Sequence, residues 1–155
     1  MSERWERSAT AAVALCGVAV AAYLSYTRLT DTSIICPTTG CGTVQRSEYA
    51  KLAGVPVAYL GVAGYAAIAV TTLNGRRAAR VLRTALVIVA AGFAGYLLVA
   101  QLFLIDAVCV WCIGSDVVAL SLVVLTARPR RASTRRLREG GPAPGASHRE
   151  SRSAR

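Results

Sequence analysis

Apolar residues in this chain come in long blocks, separated by short stretches carrying charge, Gly and Pro. Four blocks meet the roughly 20 apolar residues that a helix needs to cross a bilayer. They run from about Ala9 to Tyr26, Val55 to Leu73, Val81 to Ile105 and Val108 to Ala127. The pattern predicts an all-α polytopic membrane protein, a four-transmembrane-helix bundle occupying residues 9–127. Small residues recur at helix-packing spacing, Gly17 with Ala21 and Ala91 with Gly95, which would let neighbouring helices approach closely. The first block could also be read as a signal peptide with Ala19-Val20-Ala21 as its cleavage site, but its uncharged stretch continues through Tyr23 and Leu24, long for a signal core.

Between the first two blocks lies a polar loop over 29–54. Ser47 can cap and Gly54 can stop a short surface helix within it, and Pro56 suits the start of the second span, where a missing N–H costs least. Residues 128–155 change character. They are rich in Arg, Ser, Gly, Pro and Glu without apolar periodicity, and read as a disordered basic tail containing the lone His148.

Charge sets the orientation. The chain carries a net +10, which raises nucleic-acid binding as a possibility. Its basic residues instead flank the apolar blocks without aromatic interleaving or any nucleic-acid motif, which excludes that class. Of 18 Lys and Arg, 15 lie at residues 1–8, around the 73–83 turn or in the tail, and only Arg28, Arg46 and Lys51 fall on the other side. Positive residues stay inside, so both termini, 1–8 and 128–155, are expected in the cytoplasm. The 29–54 loop and the turn near Asp106 are then outside, where disulfides persist.

Four of five cysteines form two close pairs on that outer side. Cys36-Pro37-Thr38-Thr39-Gly40-Cys41 reads as a tight turn with a sulfur at each end, able to close a disulfide. Cys109-Val110-Trp111-Cys112 opens the fourth span, where sulfurs at i and i+3 share a face and the helix N-terminus favours a thiolate. Trp111 suits an interfacial anchor. Asp116 is one turn beyond Cys112, and a carboxyl within a span is costly and often functional; it is a candidate proton donor or acceptor, or a residue hydrated near the surface. Cys16, in mid-span, reads as a small hydrophobe. Two dithiol pairs on one face of a membrane point to electron transfer by thiol–disulfide exchange. The competing reading is a thiolate metal-handling membrane protein built on the same four cysteines; no metal is expected on the redox reading.

Taken together, these motifs resemble the bacterial homologues of the vitamin K epoxide reductase family. The resemblance rests on the loop pair, Cys41-Gly42-Thr43-Val44-Gln45-Arg46-Ser47, the Gly54-Val55-Pro56 run leading to Gly61, and the Cys109–Cys112 motif, and it covers about residues 10–127. It implies a four-helix bundle enclosing a quinone of the menaquinone or ubiquinone type, in a bacterial inner (cell) membrane. Electrons would pass from a separate reduced thioredoxin-like (DsbA-like) partner through Cys36 and Cys41 to Cys109, with Cys112 facing the quinone, in support of disulfide formation in exported proteins. Ser47, Val57, Trp111 and Asp116 are the residues expected near the quinone. Val57 stands where many relatives have Asn and Asp116 where the animal enzymes have Tyr, which argues against vitamin K epoxide as the substrate. The DsbB-like family shares four spans and two outer pairs, but its CxxC pair usually lies in the first loop.

Overall fold

The computed structural model describes residues 3–36 and 40–127; the 128–155 tail with His148, and Pro37 to Thr39 of the loop, lie outside the described residues. Four long helices close into a ring. Helix α1 (Glu3–Leu29) packs on α3 (Val57–Leu73) and on α5 (Val110–Ala127), and α4 (Arg77–Val99) joins α3 to α5 from the other side. Among the described residues, three helical stretches are long and apolar enough to cross a membrane: Arg4–Leu29, Arg77–Leu104 and Val110–Ala127. The second expected span is the shorter α3, 17 residues, or about 26 Å at 1.5 Å per residue.

The helices bury small residues inward and leave large apolar ones outward. Ala14, Ala21, Ile68, Ala69, Val87 and Leu122 form the buried core, with the ring of Tyr65 among them. Leu15, Val70, Ile88, Val89, Leu120 and Val124 are exposed around the outside. Helices apolar all round belong in lipid. Buried hydroxyls turn to their own helix: Ser25 donates to the Ala21 carbonyl at 2.7 Å, and Thr72 to that of Ile68 at 2.7 Å, so no polar group is left facing the hydrocarbon there.

Close approach between α1 and α3 uses the first small-residue stripe. A methyl on Gly17 would sit 2.6 Å from the Tyr65 ring, and one on Gly61 would meet the Ala21 Cβ at 3.3 Å. The second stripe does not do this, because Gly95 has open space where its Cβ would be.

The 29–54 loop differs from expectation in its details. Its short helix is α2, Gly40–Arg46, so Cys41 is helical. Ser47–Gly54 is instead a single 3-10 turn (Glu48–Ala50) followed by a two-residue hairpin, β1 (Lys51–Leu52) against β2 (Val55–Pro56). The reason is the turn: Ala53 and Gly54 both have positive φ, +51° and +82°, which is the requirement of the tight hairpin turns and is incompatible with a continuing helix. The expected cap at Ser47 is also absent; its hydroxyl points back to the Val44 carbonyl at 2.7 Å. Asp31 and Asp106, with φ of 50° and 51°, turn the chain after α1 and after the end of α4, a left-handed conformation that Asp tolerates better than most side chains.

The end of α4 changes pitch. Ala100–Leu104 forms a π-turn, in which Ile105 N–H bonds the Ala100 carbonyl at 2.9 Å and Ala107 N–H bonds that of Gln101 at 3.2 Å. The fourth span was expected to begin at Val108; the helix begins at Val110, which leaves Cys109 just outside it.

Candidate functional site

Cys36 and Cys41 are joined as a disulfide, with Cα atoms 6.3 Å apart. The two sulfurs are not equivalent. Cys41 is 1% exposed, whereas Cys36 is half-buried and lines a polar cleft of about 700 Å³ with Arg28, Asp31, Ser33, Gln45 and Arg46. Two contacts fix α2 beneath the loop. Gly40 lies so close to the Val108 backbone that a Cβ there would collide with its carbonyl, and the Arg28 guanidinium of α1 donates to the Gln45 carbonyl.

Ile35, beside Cys36, is held on both its peptide groups. Its N–H donates to the Tyr23 hydroxyl at 3.1 Å, and its carbonyl accepts from the Trp111 indole N–H at 2.9 Å. The Tyr23 and Trp111 rings touch, with centroids 4.8 Å apart. Trp111 therefore links the middle of the second cysteine motif to the outer loop.

Cys109 and Cys112 are reduced, with Sγ atoms 2.8 Å apart and the Cys112 thiol donating. Cys109 is the N-cap of α5: its carbonyl accepts from Ile113 N–H at 3.0 Å and its sulfur from Cys112 N–H at 3.3 Å. This is the capping role usually filled by a Ser or Asp oxygen, with a sulfur in its place. The donated thiol hydrogen bond is the main reason that the Cys109 thiol is pulled down from 9.0 to about 7; the backbone N–H bonds add to it, and burial opposes it. A thiolate at the head of a helix is a competent nucleophile in disulfide exchange.

The two pairs meet. Cys41, Val44 and Cys109 form one buried cluster, with Cys36, Trp111 and Cys112 packed against it. The Gln45 side-chain amide points at the Cys112 sulfur from 3.8 Å, and the Gln101 side-chain oxygen accepts the Cys109 N–H at 2.9 Å.

Below this cluster α3, α4 and α5 line a partly open cavity of about 330 Å³, walled by apolar residues including Leu60, Phe93 and Leu97. Its polar side chains are Tyr65, Ser115 and Asp116. The Tyr65 hydroxyl lies 2.9 Å from the Ser115 hydroxyl and 3.0 Å from its carbonyl. Asp116 is 8% exposed, and its Oδ2 has no hydrogen-bond partner among the described residues. Of the residues expected near a quinone, Val57 and Asp116 share this cavity, Trp111 belongs to the cysteine cluster, and Ser47 lies at the end of α2, lining neither. Cys16 is exposed on α1, away from the other sulfurs.

Tyr23, Tyr65, Gln101 and Ser115 carry no motif and are assigned to the site by the fold alone, and Gln45, though inside the motif that follows Cys41, had no role assigned from the sequence. One of them left a trace: Gln101 is an amide in an otherwise apolar run. An apolar cavity of this volume with a few convergent polar groups is the usual form of a small-molecule site. Its walls would suit an apolar ring, and its polar groups are the orphan Asp116 oxygen and the Tyr65–Ser115 hydroxyls.

The family model of the vitamin K epoxide reductase family matches residues 8–127. No match is found among curated proteins. The chain belongs to the vitamin K epoxide reductase family, and with that membership it is a membrane thiol–disulfide oxidoreductase.

Proposed function

We propose that this protein carries electrons from a reduced thioredoxin-like protein through Cys36/Cys41 to Cys109/Cys112 and on to a membrane quinone, in support of disulfide formation in exported proteins. The observation that carries the reading is the cluster in which Cys41 and Cys109, one residue from each pair, are buried together with Cys36 and Cys112 packed against it, with the cavity lying one helical turn further along α5.

Exchange proceeds by thiolate attack on a disulfide sulfur. A partner thiolate attacks Cys36, at the rim of the cleft, and Cys41 leaves as a thiolate; the partner's second thiolate releases the partner as a disulfide. With the inner pair oxidised, the Cys41 thiolate attacks Cys109 and Cys112 leaves. Cys36 then attacks Cys41, which restores the outer disulfide and leaves the inner dithiol. A quinone in the cavity supplies an acceptor for the two electrons and two protons released as Cys109 and Cys112 join. The protein's own part is to hold the Cys109 thiolate, exclude water around the pair, and present Asp116 as a proton-handling carboxyl at the cavity wall.

The charge distribution supports an orientation with both termini cytoplasmic and both cysteine pairs outside. The test is turnover of the purified chain in detergent with reduced thioredoxin as donor and menadione as acceptor. Cys109→Ala and Cys112→Ala each abolish quinol formation, and Cys16→Ala leaves it unchanged. Full activity of Cys112→Ala with the quinone as sole oxidant would overturn the assignment.

A further inference from the structure

From Ala85 to Ile105 only Tyr96 and Gln101 carry polar side chains. Gln101 is 1% exposed, and burying a carboxamide beside lipid is costly unless it is bonded. It makes two links to the turn that leads into α5: its backbone carbonyl accepts from Ala107 N–H at 3.2 Å, and its side-chain Oε1 accepts from Cys109 N–H at 2.9 Å. The first is a bond across six residues, available only because α4 ends in a π-turn, a distortion often found at functional positions. Its Nε2 has no partner among the described residues.

We propose that Gln101 is a positioning residue for Cys109, holding that cysteine at the helix head in every redox state of the inner pair. This rests on the reading of Cys109/Cys112 as the inner dithiol. The contacts made to the Cys109 sulfur itself depend on its oxidation state, whereas the backbone bonds of Cys109, its carbonyl to Ile113 N–H at 3.0 Å and its N–H to Gln101, do not. The Cys112 thiol that donates to it from 2.8 Å ceases to exist once both S–H bonds are replaced by one S–S bond, and a disulfide sulfur is a poorer acceptor for the Cys112 N–H than a thiolate. The Gln101 bond is made to the Cys109 backbone, so it survives oxidation. Gln101 therefore keeps the sulfur aimed at the cluster containing both Cys112 and Cys41 while the bonds at the sulfur itself change.

The experiment uses the full chain in detergent. In a C36A/C41A background, diamide, which takes up two electrons and two protons as the inner disulfide forms, oxidises the reduced pair, and alkylation followed by mass measurement reads the rate. Q101M matches the side chain's shape without its acceptor and slows oxidation about tenfold. Q101E retains an acceptor oxygen and recovers to within about threefold of the parent. In thioredoxin-to-menadione turnover with Cys36 and Cys41 present, Q101M lowers kcat by a similar factor and leaves KM for menadione within twofold. Amide hydrogen exchange of the parent protein gives a reading without substitution: the Cys109 N–H is protected in both the reduced and the oxidised form. Q101M oxidised at the parent rate, Q101E no faster than Q101M, or rapid exchange of the Cys109 amide in either form would overturn the inference. A Gln101 effect with diamide in a protein that does not reduce menadione would sink the quinone reading and leave this one standing.

Discussion

Trp111 donates its indole N–H to the carbonyl of Ile35 at 2.9 Å. One residue inside the inner cysteine motif thereby sets the position of the residue next to the outer cysteine. The bond should matter for transfer between pairs and little for chemistry within either. Trp111→Phe keeps an aromatic ring against Tyr23 and removes the donor. A net hydrogen bond of about 0.5–1.5 kcal/mol corresponds to a loss of roughly two- to tenfold in the thioredoxin-driven rate, while diamide oxidation of the inner pair stays near the parent value. Stopped-flow measurement of both rates on the same variant checks this.

The lowered Cys109 thiol predicts a pH dependence. In the reduced protein with Cys16, Cys36 and Cys41 replaced by Ala, thiolate absorbance should rise through about pH 7 instead of 9.0. Since the Cys112 hydrogen bond is the largest cause, adding Cys112→Ala moves the inflection up. The folded state favours the thiolate more than the unfolded chain does. Its contribution to stability is therefore complete above about pH 9 and is lost as pH falls through about 7. Melting of the reduced protein across that range, against a Cys109→Ala control, reads the sign.

Packing predicts a contrast between two glycines of similar sequence context. Gly17→Ala drives a methyl to 2.6 Å from the Tyr65 ring, and overpacking of this kind costs about 1–3 kcal/mol. Gly95→Ala meets nothing within 4 Å and should be neutral or slightly stabilising, as expected for Gly to Ala in a helix. Thermal unfolding in one detergent separates them. Because Tyr65 also walls the cavity, Gly17→Ala should raise the KM for menadione as well.

Asp116 lines the cavity with one carboxyl oxygen unpaired among the described residues. If that carboxyl moves a proton during quinone reduction, Asp116→Asn lowers kcat on the order of 10²-fold, with a smaller change in KM. Diamide oxidation of the inner pair, which needs no proton at the cavity, stays close to normal. Equal losses in both assays would assign Asp116 to the fold alone.

Most of the architecture was legible along the chain, because spans and paired cysteines are local signals. Block length gave the long helices, and Cys109-Val110-Trp111-Cys112 gave the dithiol at the head of α5. What failed was local chemistry read without its neighbours. Pro37 and Gly40 suggested a turn through Cys41, yet Gly40 opens a helix whose close approach to Val108 tolerates no side chain. Ser47 and Gly54 looked like the ends of one helix, but positive φ at Ala53 as well as Gly54 folds a hairpin between them. Tyr23 and Ser115 join the site only through tertiary contact, for which a single sequence has no signal. Ala91 with Gly95 matched the helix-packing spacing as well as Gly17 with Ala21 did, and only the structure tells which face meets a neighbour.

The unequal exposure of the two outer sulfurs has a consequence for leakage. Cys36 borders an open cleft, while Cys41 and Cys109 are 1% and 0% exposed. Dissolved thiols and small oxidants can visit the first sulfur but find the junction behind it shut. On the proposed route, traffic would be insulated along its inner segment, much as a wire is sheathed between its terminals, with Cys36 as the terminal that thiols reach from the cleft.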